Sequence, residues 1–230
     1  VITALILFIF GVGVFLVTPV NEFIVPASVL LGLMAFEWAK LTGWNKPLYA
    51  GLYGLSAVLL LWLVVILFPD VTSFAWWQIV TIWLTLGVVL AVVGFQKSGH
   101  WSGAWATMLR LFGLVWLINF ALSFTMLPML VGVWGLLYAM SLVWVMDTFA
   151  YFSGKRFGRY KLAVNVSPGK TWEGVLGGLF ITTLYAGAIA VWQEQSVIIA
   201  IMIAVIVAGL SVTGDLFESA LKRQVGVKDS

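Results

Sequence analysis

Cysteine is absent and histidine occurs once, at His100. Disulfides and thiolate metal sites are therefore excluded, and one imidazole cannot build a histidine-based zinc site. Charge is scarce too: 9% of the 230 residues are Asp, Glu, Lys or Arg, against 63% hydrophobic. Soluble domains carry about a quarter charged residues and are near half apolar, so this chain lacks the polar surface a soluble fold needs. No polar stretch is long enough for a soluble domain either, since the longest runs only from about 151 to 173. Composition alone places the chain in a membrane.

What the sequence does have is long apolar runs. A transmembrane helix needs about 20 largely apolar residues. The stretches that qualify are 1–20, 23–39, 47–68, 76–95, 110–127, 129–150, 174–193 and 196–213. The second is short and contains Glu37, and the fifth and sixth are divided at Pro128. The chain begins at Val1, and its first run lacks a small-residue cleavage pattern. That run reads as a membrane span missing its natural start rather than as a signal peptide. The expected fold class is all-α, a polytopic integral membrane bundle of about eight transmembrane helices. Residues 1–140 supply the N-terminal spans, and 141–230 the C-terminal spans with their loops, within one membrane unit.

The twelve basic residues test that count. Lys40, Lys46, Lys97, Arg110, Lys155, Arg156, Arg159, Lys161, Lys170, Lys222, Arg223 and Lys228 all fall in connections after the second, fourth, sixth and eighth spans. The opposite connections hold Glu22, Asp70 and Glu194 and no cation. Cytoplasmic loops collect Lys and Arg, so both ends of the chain are expected to face the cytoplasm. The net charge of +3 thus reflects membrane orientation, and no nucleic-acid partner is expected. Trp38, Trp44, Trp76, Trp77, Trp101, Trp172 and Trp192 lie at or near span ends, as headgroup anchors do. Trp62, Trp116, Trp134 and Trp144 lie deeper and read as packing residues.

Chemistry is confined to two regions, 147–178 and 211–230. Asp147 stands near the end of the sixth span, and an ionisable residue at membrane depth is a functional candidate. Asp147, Tyr151 and Gly154 share one helical face at i, i+4 and i+7. The plainer alternative is an acid that snorkels to the interface. Lys155, Arg156, Arg159 and Lys161 follow among glycines, in a run that suits an anionic ligand and a positive-inside anchor equally. In Ser167-Pro168-Gly169-Lys170-Thr171-Trp172-Glu173-Gly174, serine before proline predicts an N-cap and first turn. Helix N-termini bind phosphate, and Lys170 and Thr171 would add a charge and a hydroxyl there. A P-loop is excluded, because Val164 stands where that motif needs glycine and no strand precedes it. Gly174, Gly177 and Gly178 are expected at a close helix contact.

In the second region Asp215, Ser219, Lys222 and Gly226 form one stripe on a continuing helix. A carboxylate, a hydroxyl and a cation in that row suit Mg²⁺ and the phosphates it bridges. The alternative is a surface helix with a Glu218–Lys222 pair worth a few tenths of a kcal/mol. Together the two regions fit phosphoryl-type transfer, which needs positioning and charge neutralisation more than a protein nucleophile.

Three blocks carry a resemblance. They are Asp147-Thr148-Phe149-Ala150-Tyr151-Phe152-x-Gly154-Lys155-x-Phe157-Gly158, Ser167-Pro168-x-Lys170-Thr171-x-Glu173-Gly174, and Gly214-Asp215-x-x-Glu218-Ser219-x-x-Lys222-Arg223-x-x-Gly226-Val227-Lys228-Asp229-Ser230. The chain resembles the phosphatidate cytidylyltransferase, or CDP-diacylglycerol synthase, family. The resemblance implies that CTP and phosphatidic acid condense to CDP-diacylglycerol and pyrophosphate at the cytoplasmic face of a bacterial inner membrane. It implies Mg²⁺ as cofactor, with a second cation left open, membrane lipids as surroundings and a homodimer as an open assembly state. Carried over, Asp215 is a metal ligand together with Ser219, while Lys222 and Arg223 contact metal-bound phosphate. Lys170 and Ser167 help hold the triphosphate or the lipid phosphate. Thr171, Lys155, Lys161 and Tyr151 join in substrate binding, and Asp147 lines the site. The family pattern continues beyond Ser230 into an Asp-Arg-x-Asp segment, where a second metal carboxylate is expected. Asp229 would lie roughly 21 Å beyond Asp215 on a continued helix, so the chain ending at Ser230 is expected to bind nucleotide weakly and not turn over.

Two rival readings remain at this level. A CTP-dependent polyprenol or phytol kinase would use a similar site and release CDP. A secondary transporter coupling through Asp147 would carry paired broken helices in two related halves, whereas the polar residues here crowd into one half.

Overall fold

A computed structural model of the chain describes residues 22–44, 46–68, 71–101 and 103–226, with Gly13 and residues 16–19. Almost all of the expected span 1–20 lies outside the described residues, as do Asp70 and Asp229. The elements run α1 (Ile24–Leu41), α2 (Pro47–Leu67), α3 (Val71–Ser98), α4 (Gly103–Phe157), β1 (Lys161–Ala163), β2 (Ser167–Thr171), α5 (Trp172–Trp192) and α6 (Val197–Gln224). Among the described residues, 6 helices are long and apolar enough to cross a membrane. One of them, the 51-residue stretch Thr107–Phe157 of α4, has the length of two crossings. Each expected span from the second to the eighth therefore has a helical counterpart, in an almost all-α fold.

Local chemistry explains the boundaries. Pro47 opens α2, where its fixed φ suits the first turn and its missing N–H is not needed. Ser196 precedes α6 and accepts a hydrogen bond from Ile199 N at 3.5 Å. The break in α4 is not at Pro128, as the sequence reading has it. The helix carries through Pro128 and breaks at Gly132, with φ 73 and ψ 171. Transmembrane helices tolerate proline, whereas a positive φ calls for glycine.

The chain divides into two compact units, Val1–Leu84 with Ala104–Leu137, and Thr85–Gly103 with Tyr138–Ser230. In the first, α1 and α2 pack through small residues, among them Ala27, Ala35, Ala50, Gly54 and Ala57. A Cβ on Gly54 would lie 2.8 Å from the Gly32 carbonyl oxygen, so the two backbones touch. Trp38 holds α1 to α4: its Nε1 donates to the Leu109 carbonyl at 3.0 Å and its ring meets Trp116 edge-on. The Arg110 guanidinium lies 5.0 Å from the Trp44 ring centroid, bringing Arg110 beside the Lys40–Lys46 connection.

In the second unit α5 carries a ladder of buried small residues, Gly174, Gly178, Thr182, Ala186 and Ala190, one at each fourth position. Its upper rungs face the end of α4. A Cβ on Gly174 would stand 2.8 Å from Ala150 O, and one on Gly178 would stand 2.8 Å from Met146 O. Farther along, Ala186 packs with Leu142 and Ala204. The glycines thus make the close helix contact expected of them. Side-chain amides at Gln96 and Gln224 join the end of α3, the β1–β2 hairpin and the end of α6. Lys97, the hairpin cations and Lys222 therefore share one end of this unit.

Tryptophan departs from the reading by depth. Trp62, Trp134 and Trp144 face outward, at 41%, 75% and 37% exposure, instead of packing inside. Depth along a span does not say which face a residue occupies, and an aromatic ring is at ease against lipid. Trp101, expected at the headgroups, is 5% exposed and donates Nε1 to the Ala91 carbonyl.

Candidate active site

The segment after α4 corrects two expectations. A strand, β1, does precede Val164, so the missing glycine alone excludes a P-loop. Ser167 and Pro168 do not open a helix; they start β2, which pairs antiparallel with β1 through Lys161↔Thr171 and Ala163↔Ser167. A two-stranded sheet is all edge, so proline's missing N–H is tolerated there. The helix opens one strand later. Thr171 is its N-cap, its Oγ1 accepting from Gly174 N at 3.2 Å. Glu173 in the first turn accepts from Tyr160 N with both oxygens, at 3.1 and 3.2 Å. Trp172 N donates to the Tyr160 carbonyl at 2.9 Å and Gly174 N to Thr171, so the chain itself takes up amides of the helix start that the sequence offers to phosphate. What the hairpin delivers instead is Lys170.

Lys170 Nζ donates to Asp215 Oδ2 at 2.6 Å, joining β2 to α6. One turn earlier on α6, Ser211 Oγ donates to Asp147 Oδ1 at 2.7 Å, joining α6 to α4. Two carboxylates from different helices and one cation from the hairpin are thereby set together near the ends of apolar spans. Both members of the ion pair stay partly open, with side-chain exposure of 26% for Lys170 and 45% for Asp215.

These groups line a cavity of about 540 Å³, within the 300–1,000 Å³ typical of small-molecule sites. Asp147, Tyr151 and Lys155 line it from α4, Ser167, Lys170 and Thr171 from the hairpin, and Asp215 from α6. The predicted face Asp147–Tyr151–Gly154 is thus one wall. Four other expected residues are not in the lining. Lys161 begins β1 and is exposed. Ser219 lies one turn beyond Asp215, Lys222 is bound to Glu218 at 2.9 Å, and Arg223 is exposed in the last turn of α6. Ser211 was not singled out from sequence. Its only signal is a polar residue in an apolar span one turn before Asp215.

A cavity lined by two acids and two lysines at the ends of membrane-length helices suits a membrane-embedded enzyme that handles phosphate. The chain belongs to the cytidylyltransferase family, whose model it matches over residues 1–230. It is 36% identical over 234 residues to a phosphatidate cytidylyltransferase of Pseudomonas aeruginosa, covering 100% of this chain and 85% of the relative. A protein of the same name from Haemophilus influenzae is 36% identical over 174 residues, covering 70% of this chain and 57% of the relative. One from Brucella abortus is 31% identical over 218 residues, covering 88% and 72%. The chain is an integral membrane nucleotidyltransferase.

Proposed function

We propose that this chain joins CTP and phosphatidic acid into CDP-diacylglycerol and pyrophosphate at the cytoplasmic face of a bacterial inner membrane. The observation that carries the reading is the Lys170–Asp215 pair, sharing one cavity with Asp147. In the reaction an oxygen of the lipid phosphate attacks the α-phosphorus of CTP. The bond from that phosphorus to the oxygen bridging it to the β-phosphorus breaks, and pyrophosphate leaves. The attacking oxygen is already anionic, so no strong base is required. The residues must position two anions and offset their repulsion.

Mg²⁺ is the cofactor this reading calls for, and the donor set fits it. The ion is commonly held through one or two carboxylates together with substrate phosphates. Asp215 and Asp147, both in the cavity wall, would hold it. Among the described residues no group of three or more His, Cys, Asp or Glu is present, so phosphate oxygens and water would complete the shell. Bound there, the ion supplies positive charge to the triphosphate. Lys170 then turns from Asp215 to a phosphate oxygen, and Ser211 keeps the Asp147 carboxylate oriented. Lys155, whose ammonium lies 5.8 Å from the Tyr151 ring centroid, receives the lipid headgroup at the cavity rim.

The test is the product. A protein extended beyond Ser230 through the expected Asp-Arg-x-Asp segment, purified in mixed micelles of detergent and phosphatidic acid and given CTP and Mg²⁺, is expected to release pyrophosphate with equimolar CDP-diacylglycerol. Release of CDP from a polyprenol substrate, without pyrophosphate, would overturn the reading in favour of a lipid kinase.

Orientation is checked separately in the cysteine-free chain. Lys161→Cys and Glu194→Cys lie beyond opposite ends of α5, whose 21 residues span about 31 Å at 1.5 Å each. In sealed inverted vesicles an impermeant thiol reagent is expected to label the first and spare the second. The reverse pattern would place the cavity outside the cytoplasm.

A further inference from the structure

We infer that Gln96 and Trp101, through their partners Asn165 and Gln224, are positioning residues that hold Lys170 and Asp215 at their working separation. The inference rests on the function proposed above, in which these two side chains act together.

The need for such a device follows from the elements. Lys170 rides on a hairpin whose strands have 3 and 5 residues, and an isolated two-stranded hairpin is marginally stable. Asp215 rides on α6, more than two turns before the end of that helix at Gln224, so where that end is fixed sets where the acid lies. The pair closes at 2.6 Å, and each of its supports is anchored at a point beyond the pair itself.

The end of α3 and the loop after it serve both. At the hairpin tip, Asn165 N–H donates to Gln96 Oε1 at 3.0 Å, and Asn165 Nδ2 donates to the Gln96 carbonyl at 2.7 Å. At the end of α6, the Gln224 side chain reads both backbone groups of Trp101. It accepts from Trp101 N at 2.8 Å and donates to Trp101 O at 3.1 Å. Trp101 is itself pinned, its Nε1 donating to Ala91 O at 3.0 Å and its ring 5.0 Å from that of Phe95. The same ring stands 5.9 Å from that of Phe217, two residues beyond Asp215. Residues 96 to 101 are thus a shared reference for the strand that carries the cation and the helix that carries the acid.

These amide hydrogen bonds, exposed at Gln96 and half-buried at Gln224, each add only modestly to global stability, so these variants should fold. Geometry is what they should lose. A misplacement of about 1 Å can lower a rate on the order of a hundredfold.

The test has two arms, both in detergent and both on the protein extended beyond Ser230 that serves as parent. For the first, Val164→Cys on the hairpin and Glu218→Cys on α6 carry nitroxide labels, and their separation is measured by double electron–electron resonance. Combining Gln96→Met with Gln224→Met is expected to broaden the distance distribution relative to the labelled parent. An unchanged distribution overturns the inference, whatever the enzyme's activity. For the second arm, kcat and KM are measured without labels. Gln96→Met is expected to lower kcat roughly tenfold, a partial misplacement, with KM for CTP within about twofold. Gln96→Glu, which keeps the acceptor for Asn165 N–H, is expected to restore kcat. A folded Gln96→Met protein with parental kcat, or a Gln96→Glu protein as impaired as Gln96→Met, overturns it. If the parent makes no CDP-diacylglycerol, the proposed function fails while the distance arm still judges the bracket.

Discussion

Asp215→Asn is expected to reduce CDP-diacylglycerol formation at least a hundredfold while the protein still inserts and folds. The amide keeps the shape but loses the charge, and neutral oxygen is a poor substitute for carboxylate toward a hard cation. Removing one preorganised electrostatic contact typically lowers kcat by about 10²–10³. Folding should survive, because the Lys170–Asp215 pair is partly solvent-open and such pairs contribute little to stability. Turnover, helical content and elution profile, measured on the same preparation, check both halves. Parental turnover at ordinary Mg²⁺ would remove Asp215 from the metal site.

Lys170→Met should be nearly as severe, with a second signature that Asp215→Asn cannot give. Lys170 has two tasks: it occupies Asp215 Oδ2 before substrate arrives and offsets phosphate charge afterwards. Without the cation, kcat is expected to fall on the order of a hundredfold. The freed Asp215 carboxylate, however, should bind a divalent ion more tightly, because nothing competes for its oxygen. A Mn²⁺ titration followed by electron paramagnetic resonance reads that affinity without turnover. Weaker Mn²⁺ binding in Lys170→Met would contradict the competition. Lys170→Arg should recover only part of the rate, since a planar guanidinium does not replace a compact ammonium.

Much of this architecture was legible because a bilayer demands one thing of a helix, a long apolar run. Glu37 in a short span did not mislead, because Ile24–Leu41 is helical through it. That length requirement says nothing of facing, however, so depth along a span does not reveal that Trp62, Trp134 and Trp144 point outward. Trp101 is held by a buried hydrogen bond that no local pattern announces. At Ser167-Pro168 the capping preference points to the wrong residue: Thr171 is only a somewhat weaker cap than serine, and pairing of β1 with β2 decides between them. Asp147 and Asp215 stood out because acids in apolar spans are conspicuous. That Lys170 would meet Asp215, 45 positions away, was not readable from spacing, nor was the Ser211 bond to Asp147. Those contacts belong to the packing of helices on one another.

The ladder of small residues on α5 bears on how the enzyme meets its lipids. Glycine and alanine have no rotamers to lose, so the contact with the end of α4 forms without freezing side chains. Backbone meets backbone, and there is little slack for the surrounding acyl chains to work on. A lipid-modifying enzyme sits in the very mixture it changes, and long side chains at this seam would let membrane fluidity reach the acids. With Gly174 and Gly178 at the seam, the wall bearing Asp147 rests on backbone contacts that no rotamer change can loosen.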